Sequence, residues 1–359
     1  MDISVDDHDW PLVVSRIEEA IDLEASVVAS GALKRRREVR SGADLLRLAL
    51  AYGPGGQSLR ETAAWASLQQ VAKLSDAALL YRLRDAADWL GWIAGSLLAQ
   101  RTGETVALAG YRLRIVDATV ISPPGRGGRW RLHAVYDPGA ARFTGLALTN
   151  TRGAESLTRV EAEPGELILG DRVYARPGGL QRLIDARVDF VVRAGSRSLT
   201  LSKADGSAFD LAAALDQSDQ FGTCDLAVRI DHKGHPERSR LARLVVIRKP
   251  PEAARQARDR ARRESQRGGH RNDPLSLRAA EHLMLITSLA QDKASPEQLA
   301  SLYRLRWQIE LAFKRLKSLL HLDRLPARNE GLARAWIFAH LIAALLVEDL
   351  CPDIRDIPP

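Results

Sequence analysis

Two hydrophobic periods run along this chain, and one gives way to the other near residue 106. Before that point apolar residues recur at helical spacing. Leu45, Leu46, Leu48 and Leu50 predict a helix over residues 43–52, which Gly53-Pro54-Gly55-Gly56 ends. Ser58-Leu59-Arg60-Glu61 is a capping box: the Ser hydroxyl accepts from the Glu N–H, and the Glu carboxylate accepts from the Ser N–H. A second helix therefore starts there. Ser75-Asp76 offers another N-cap, ahead of a helix over 77–99. Helix, break, helix, turn, helix suggests either a helix-turn-helix-like module or a plain helical bundle. The turn over 69–74 is longer than the usual three or four residues.

From Val106 onward the period becomes two. Residues 111–117, 129–136 and 142–149 read as three consecutive strands, with turns at Pro123-Pro124-Gly125 and Asp137-Pro138-Gly139-Ala140. A fourth strand covers 166–170, a short helix 180–186, and a fifth strand 188–193. A second β-rich stretch follows, with strands over 225–230, 241–248 and 282–288. Between the last two lies a polar, mainly basic and helix-prone segment, 252–271. Long helices over 296–320 and 331–350 end the pattern. The fold class is mixed α/β, and no internal repeat is visible.

Composition narrows the partners. Among 359 residues, 52 Lys plus Arg stand against 45 Asp plus Glu, a net charge of +7, which favours a polyanion and also aids solubility. The basic run Lys34-Arg35-Arg36-Arg37-Glu38-Val39-Arg40 is either a phosphate clamp or a solvated linker. Cys224 and Cys351 lack metal-ligand spacing, so neither a disulfide framework nor a zinc site is expected, and a reducing cytoplasm fits. The acidic first seven residues contain no apolar run and predict no signal peptide. The longest apolar stretch, 335–347, contains His340 and is too short to span a bilayer, so it reads as a buried helix and no membrane role is expected.

Chemistry concentrates on the predicted helix over 296–320. Tyr303, Arg306, Glu310 and Lys317 follow the spacing Tyr-x2-Arg-x3-Glu-x6-Lys. At about 100° per residue they fall within roughly 60° of one another, beside an apolar stripe of Leu302, Leu305, Ile309, Ala312, Phe313, Leu316 and Leu320. Periodicity alone equally allows a solvated face with Arg306 and Glu310 as an ordinary i,i+4 pair. The full run Tyr303-Arg304-Leu305-Arg306-Trp307-Gln308-Ile309-Glu310-Leu311-Ala312-Phe313-Lys314-Arg315-Leu316-Lys317 resembles the signature of the insertion sequence four family of bacterial DDE transposases. Upstream, Asp171-Arg172-Val173-Tyr174 is similar to the family's Asp-Arg-Gly-Tyr, with Val173 in place of the glycine. Asp117 ends the predicted strand Leu113-Arg114-Ile115-Val116 and by alternation shares a face with Leu113 and Ile115. A carboxylate aimed at a core is costly unless it is paired or holds a metal.

The resemblance spans roughly residues 113–317 and implies a ribonuclease-H-like catalytic core, over 106–195 and 290–359, interrupted by a β-rich insertion over 196–289. A helical DNA-binding region over 1–105 precedes it. It implies Asp117, Asp171 and Glu310 as catalytic residues and ligands of Mg²⁺, for which Mn²⁺ can substitute. Asp117 would bridge two ions, with Asp171 and Glu310 taking one each. Phosphoryl transfer explains these residue types, since two hard cations about 4 Å apart activate the attacking oxygen and stabilise the leaving one. The resemblance further implies DNA contacts from Tyr303, Arg306, Trp307, Lys317 and Arg172. At the place of a base-stacking aromatic, often tryptophan, stands His282, which reads equally as a strand-edge histidine. The expected substrates are the terminal inverted repeats of a mobile element and a target duplex, handled by a homodimer in the cytoplasm. Each Asp taken alone also reads as a turn or cap residue. A non-catalytic DNA-binding regulator and a metal-dependent nuclease that never joins strands are the competing functions.

Overall fold

Six helices come first in the computed structural model, which describes residues 9–99, 107–108, 110–122, 130–139, 142–150, 152–269, 273–320, 325–327 and 329–350. They are α1 (Trp10–Glu18), α2 (Leu23–Ala29), α3 (Gly42–Tyr52), α4 (Leu59–Leu68), α5 (Asp76–Asp85) and α6 (Ala87–Ala99). The capping box that opens α4 is formed, with Ser58 N–H donating to Glu61 at 2.8 Å and Glu61 N–H to Ser58 Oγ at 3.2 Å. Ser75 caps α5 as expected. The single helix expected over 77–99 is instead two, because the chain turns at Ala86, whose N–H donates to the Arg82 and Leu83 carbonyls. Asp85, Ala86, Ala87 and Asp88 surround that turn with no glycine or proline, so no strong breaker marks it in the sequence.

Ten strands build one sheet. They are β1 (Ala107–Leu108), β2 (Tyr111–Ile121), β3 (Trp130–Asp137), β4 (Arg142–Asn150), β5 (Glu166–Gly170), β6 (Asp189–Arg193), β7 (Leu201–Lys203), β8 (Thr223–Ile230), β9 (Arg240–Arg248) and β10 (His282–Thr287). Their order is β4-β3-β2-β5-β6-β10-β9-β8-β7, with β1 paired to β2. The β2, β3 and β4 strands form an antiparallel meander, and β5 and β6 add in parallel beside β2. A parallel pair needs a crossover, and α7 (Pro177–Asp185) supplies it between β5 and β6. Glu166 locks the β2–β5 register: it is buried at the start of β5, yet it accepts from Arg112 and, at 2.8 Å, from Arg114 of β2.

The stretch expected as an insertion continues this sheet. Its strand β10 pairs antiparallel with β6, and β9, β8 and β7 follow outward. Three helices accompany them: α8 (Leu211–Phe221), α9 (Pro251–Arg267) and α10 (Pro274–Ala280). The expected helix over 296–320 is also two, α11 (Pro296–Arg304) and α12 (Trp307–Leu320). The connection tightens to three-residue steps: Arg306 N–H donates to Tyr303 O, and Gln308 N–H to Leu305 O. The last helix is α13 (Glu330–Leu350).

Alternation along the strands gives the sheet two buried faces. Leu113 and Ile115 of β2, Leu167 and Leu169 of β5 and Val191 of β6 join one apolar cluster with α1–α6 and α11–α13. Val116, Ile168, Phe190 and Val192 face the other way, onto α7, α8 and α10. By length and composition α13 is apolar enough to cross a membrane, but 67% of its span is buried here, packed on α6, α5 and α3. It is the buried helix its sequence predicts.

Candidate active site

The parallel pairing of β2 with β5 fixes the first two carboxylates. Val116 stands opposite Gly170, so Asp117 and Asp171 follow side by side on neighbouring strands. Asp117 lies in the middle of β2, which runs on to Ile121 rather than ending there. One carboxylate oxygen accepts from Ala118 N–H at 2.8 Å, and the other lies 3.8 Å from the Arg306 guanidinium. Burial, then the like charges of Asp171 and Glu155, push the Asp117 carboxyl up to about 6; Ala118 N–H and Arg306 only partly oppose them. Asp171 caps the short helical turn Arg172–Tyr174, accepting from Val173 N–H at 2.6 Å. That capping leaves further lone pairs on its carboxylate.

Glu310 reaches the same place from α12. Its carboxylate accepts from Arg306 at 2.6 Å, so one guanidinium touches both Asp117 and Glu310. Tyr303, at the end of α11, lies 5.7 Å from that guanidinium, ring centroid to carbon. Burial raises the Tyr303 phenol above its ordinary range, and Arg306 and Arg193 counter this in part. The turn between α11 and α12 thus faces three groups, Tyr303, Arg306 and Glu310, towards Asp117. Trp307 opens α12 and stands 58% exposed beside them, a large aromatic surface left in water. Arg172 is exposed next to Asp171. Lys317 belongs to α12, but its side chain lies outside the described residues.

His282 does not join this site. It begins β10, but its ring is buried, with Nε2 3.0 Å from the Asp219 carboxylate and Nδ1 3.1 Å from the Arg278 carbonyl. Both edges are engaged and neither face is open, so it cannot stack a base as placed. The sequence places it at a strand edge but cannot reveal that Asp219, on α8, closes over it.

Two further residues enter, Glu155 with no signal in the spacing and Tyr174 as the last residue of the motif that begins at Asp171. Glu155 lies in the loop after β4, 3.4 Å from Arg131, and its carboxyl is raised by burial and by Asp171, with Arg131 opposing. Tyr174 is buried, and burial, Asp117, Glu155 and Asp171 all raise its phenol. Glu155 follows β4 by only a few residues, where any short polar loop reads alike.

The donor set is oxygen only, and burial, the main cause of the raised Asp117 carboxyl, leaves a carboxylate that a bound cation would favour; both fit a hard divalent cation. Among the described residues no three such ligands gather around one point. Arg306 is the cation between Asp117 and Glu310 in this arrangement.

Comparison with known proteins gives a family and several relatives. The transposase DDE domain family matches residues 108–346. InsL for insertion sequence element IS186A of Escherichia coli (strain K12) is 46% identical, over 98% of this chain and 96% of its own length. The transposase for insertion sequence element IS421 of Escherichia coli is also 46% identical, with the same coverage. More distantly, y4zB of Sinorhizobium fredii is 26% identical over 89% of this chain.

Proposed function

This chain belongs to the transposase DDE domain family, and from that membership we propose that Asp117, Asp171 and Glu310 are its catalytic carboxylates, cutting DNA at the ends of an insertion sequence and joining them to a target. A domain of this family implies a ribonuclease-H-like fold, the use of divalent metal ions and DNA as the substrate. The observation that carries the assignment is the convergence of Asp117, Arg306 and Glu310, from a central strand and a distant helix, beside Asp171.

Asp117, Asp171 and Glu310 would hold Mg²⁺, which when bound supplies an activated oxygen nucleophile and a stabilised leaving oxygen. The remaining roles belong to the chain itself. Arg306 is held between two carboxylates, and its planar fork suits a phosphate oxygen once Glu310 turns to the metal. Tyr303 supports that guanidinium from its ring face. Trp307, exposed at the rim, packs against the DNA end, and Arg172 and Lys317 hold backbone phosphates on either side. The substrates are a terminal inverted repeat and a target duplex, engaged by a homodimer.

The test incubates the purified protein with the DNA flanking its own gene. Cleavage at the element ends is expected with Mg²⁺, lost in EDTA, and reduced by orders of magnitude in Glu310→Gln. Joined products identify a transposase, and cleavage without joining a nuclease. Binding with no cleavage under any metal condition rejects the catalytic assignment and favours a regulator.

A further inference from the structure

The helix α9 carries charge that the catalytic reading leaves unused. Only Ala254 of it is buried, and only Ala257, Ala261 and Ser265 are half-buried. Their spacing of three and four places all four on one stripe against the body of the protein. Every other side chain on α9 is exposed, including six arginines against three acids. Arg255 pairs with Glu252 at 2.7 Å, and Arg258 ties the helix to Glu281 at 3.1 Å. Arg260, Arg263 and Arg267 have no carboxylate partner among the described residues; Arg263 donates only to the Asp259 carbonyl. At about 100° per residue these three lie within roughly 60° of one another, turned away from the buried stripe.

Sheet register places the start of α9 at the catalytic edge. Gly170 stands opposite Val192, so Arg193 lies beside Asp171. The strands β10 and β9 continue the sheet from β6, and β9 ends at this same edge because β10 runs antiparallel to both. Lys249 follows, its ammonium donating to Ala280 O at 2.6 Å, and α9 starts two residues later. Arg193 acts electrostatically on Tyr303 as well as on Lys249, and Arg260 acts on Lys249. Burial first, then these two neighbours, pull the Lys249 ammonium down to about 8, the mark of crowded cations without a counterion. Arg193, Lys249 and Arg260 thus link the sheet edge beside Tyr303 to α9, with Glu281 the acid beside them, held by Arg248 and Arg258. At 1.5 Å per residue α9 is about 25 Å long, roughly seven base-pair steps of a duplex.

We propose that Arg193, Lys249 and the Arg260–Arg263–Arg267 face of α9 form a rail for the phosphate backbone of duplex DNA running away from the carboxylates, gripping it without regard to sequence. The inference rests on the DNA-processing function above. The test measures binding of a fluorescein-labelled duplex of random sequence to the full-length protein across a salt series, by anisotropy. Neutralising Arg260, Arg263 and Arg267 together to Gln should make the slope of log affinity against log salt shallower by about 2–3 units, roughly 0.9 per phosphate released. The corresponding triple Lys variant should restore it, and Arg260→Gln alone should remove about one unit. An unchanged slope in a triple Gln variant with wild-type circular dichroism overturns the rail. Glu310→Gln, run alongside, should keep the slope and lose Mg²⁺-dependent cleavage. If it still cleaves, the catalytic assignment fails while the rail is judged separately on its slope.

Discussion

Asp117 shows what a buried carboxylate costs the fold. Its folded-state carboxyl titrates near 6, above the ordinary value near 4, so the folded protein holds that proton more tightly than the unfolded chain does. The sign follows: the side chain is harmless below about pH 4, and its charge weighs against the fold progressively up to about pH 6 and fully beyond. Asp117→Asn should therefore stabilise the protein at neutral pH, by on the order of 2 kcal/mol, with the gain gone below about pH 4. Thermal melts over a pH series would check this, and an equal gain at all pH values would exclude a titrating Asp117 as its source. Mg²⁺ should raise the melting temperature of the wild type and do so much less for Asp117→Asn, since a ligand stabilises only the state that binds it. At this scale the sequence was informative about identity and silent about company. Alternation put Asp117 on the face of Leu113 and Ile115, where it lies, whereas Glu155 arrives from a loop with no periodic signal.

At the scale of elements, period and punctuation served well wherever the signal was local. The capping box at Ser58, the meander and the strand ahead of Asp171 could all be read from residues near one another in sequence. The breaks at Ala86 and at Leu305–Arg306 could not, because no glycine or proline marks them and both flanks favour a helix. The second break has a use. It lets Tyr303 and Arg306 face the sheet from a turn while α12 leaves in its own direction with Glu310. His282 is the opposite case, a residue whose local context suggested an open strand edge and whose carboxylate partner, Asp219, lies 63 positions away. His282→Ala should cost about 2 kcal/mol by removing a buried ring and its two bonds, to Asp219 and the Arg278 carbonyl, read from urea unfolding. Its affinity for a random-sequence duplex should match wild type at equal folded concentration, because the ring never reaches the surface. A selective loss of DNA affinity without a loss of stability would return His282 to the binding surface.

At the scale of the molecule, the N-terminal helices and one face of the sheet share a single apolar cluster. The last helix makes the link, since α13 packs along α6 and also touches α5 and α3. Gly91 of α6 is a tight joint in that seam: a Cβ there would stand 3.0 Å from the ring of Phe338 on α13. Gly91→Ala should therefore cost about 1–3 kcal/mol through overpacking. Because the cluster is shared, calorimetry should show one transition moving as a whole, whereas a separately melting N-terminal unit would split it.

The seam between β6 and β10 has a consequence for anyone who would trim this protein. Residues 196–289 look dispensable on paper, an excursion between two halves of a catalytic core. Yet β10 satisfies the outer row of amides and carbonyls on β6, and Thr287 and Ser288 add side-chain bonds to Phe190 and Asp189. A version joined directly from 195 to 290 would keep Asp117, Asp171 and Glu310 but turn β6 into a bare margin, ready to recruit the same strand from another molecule. Such a shortened chain should scatter light and elute as large particles where the intact protein does not. The excursion is also a guard rail against self-adhesion.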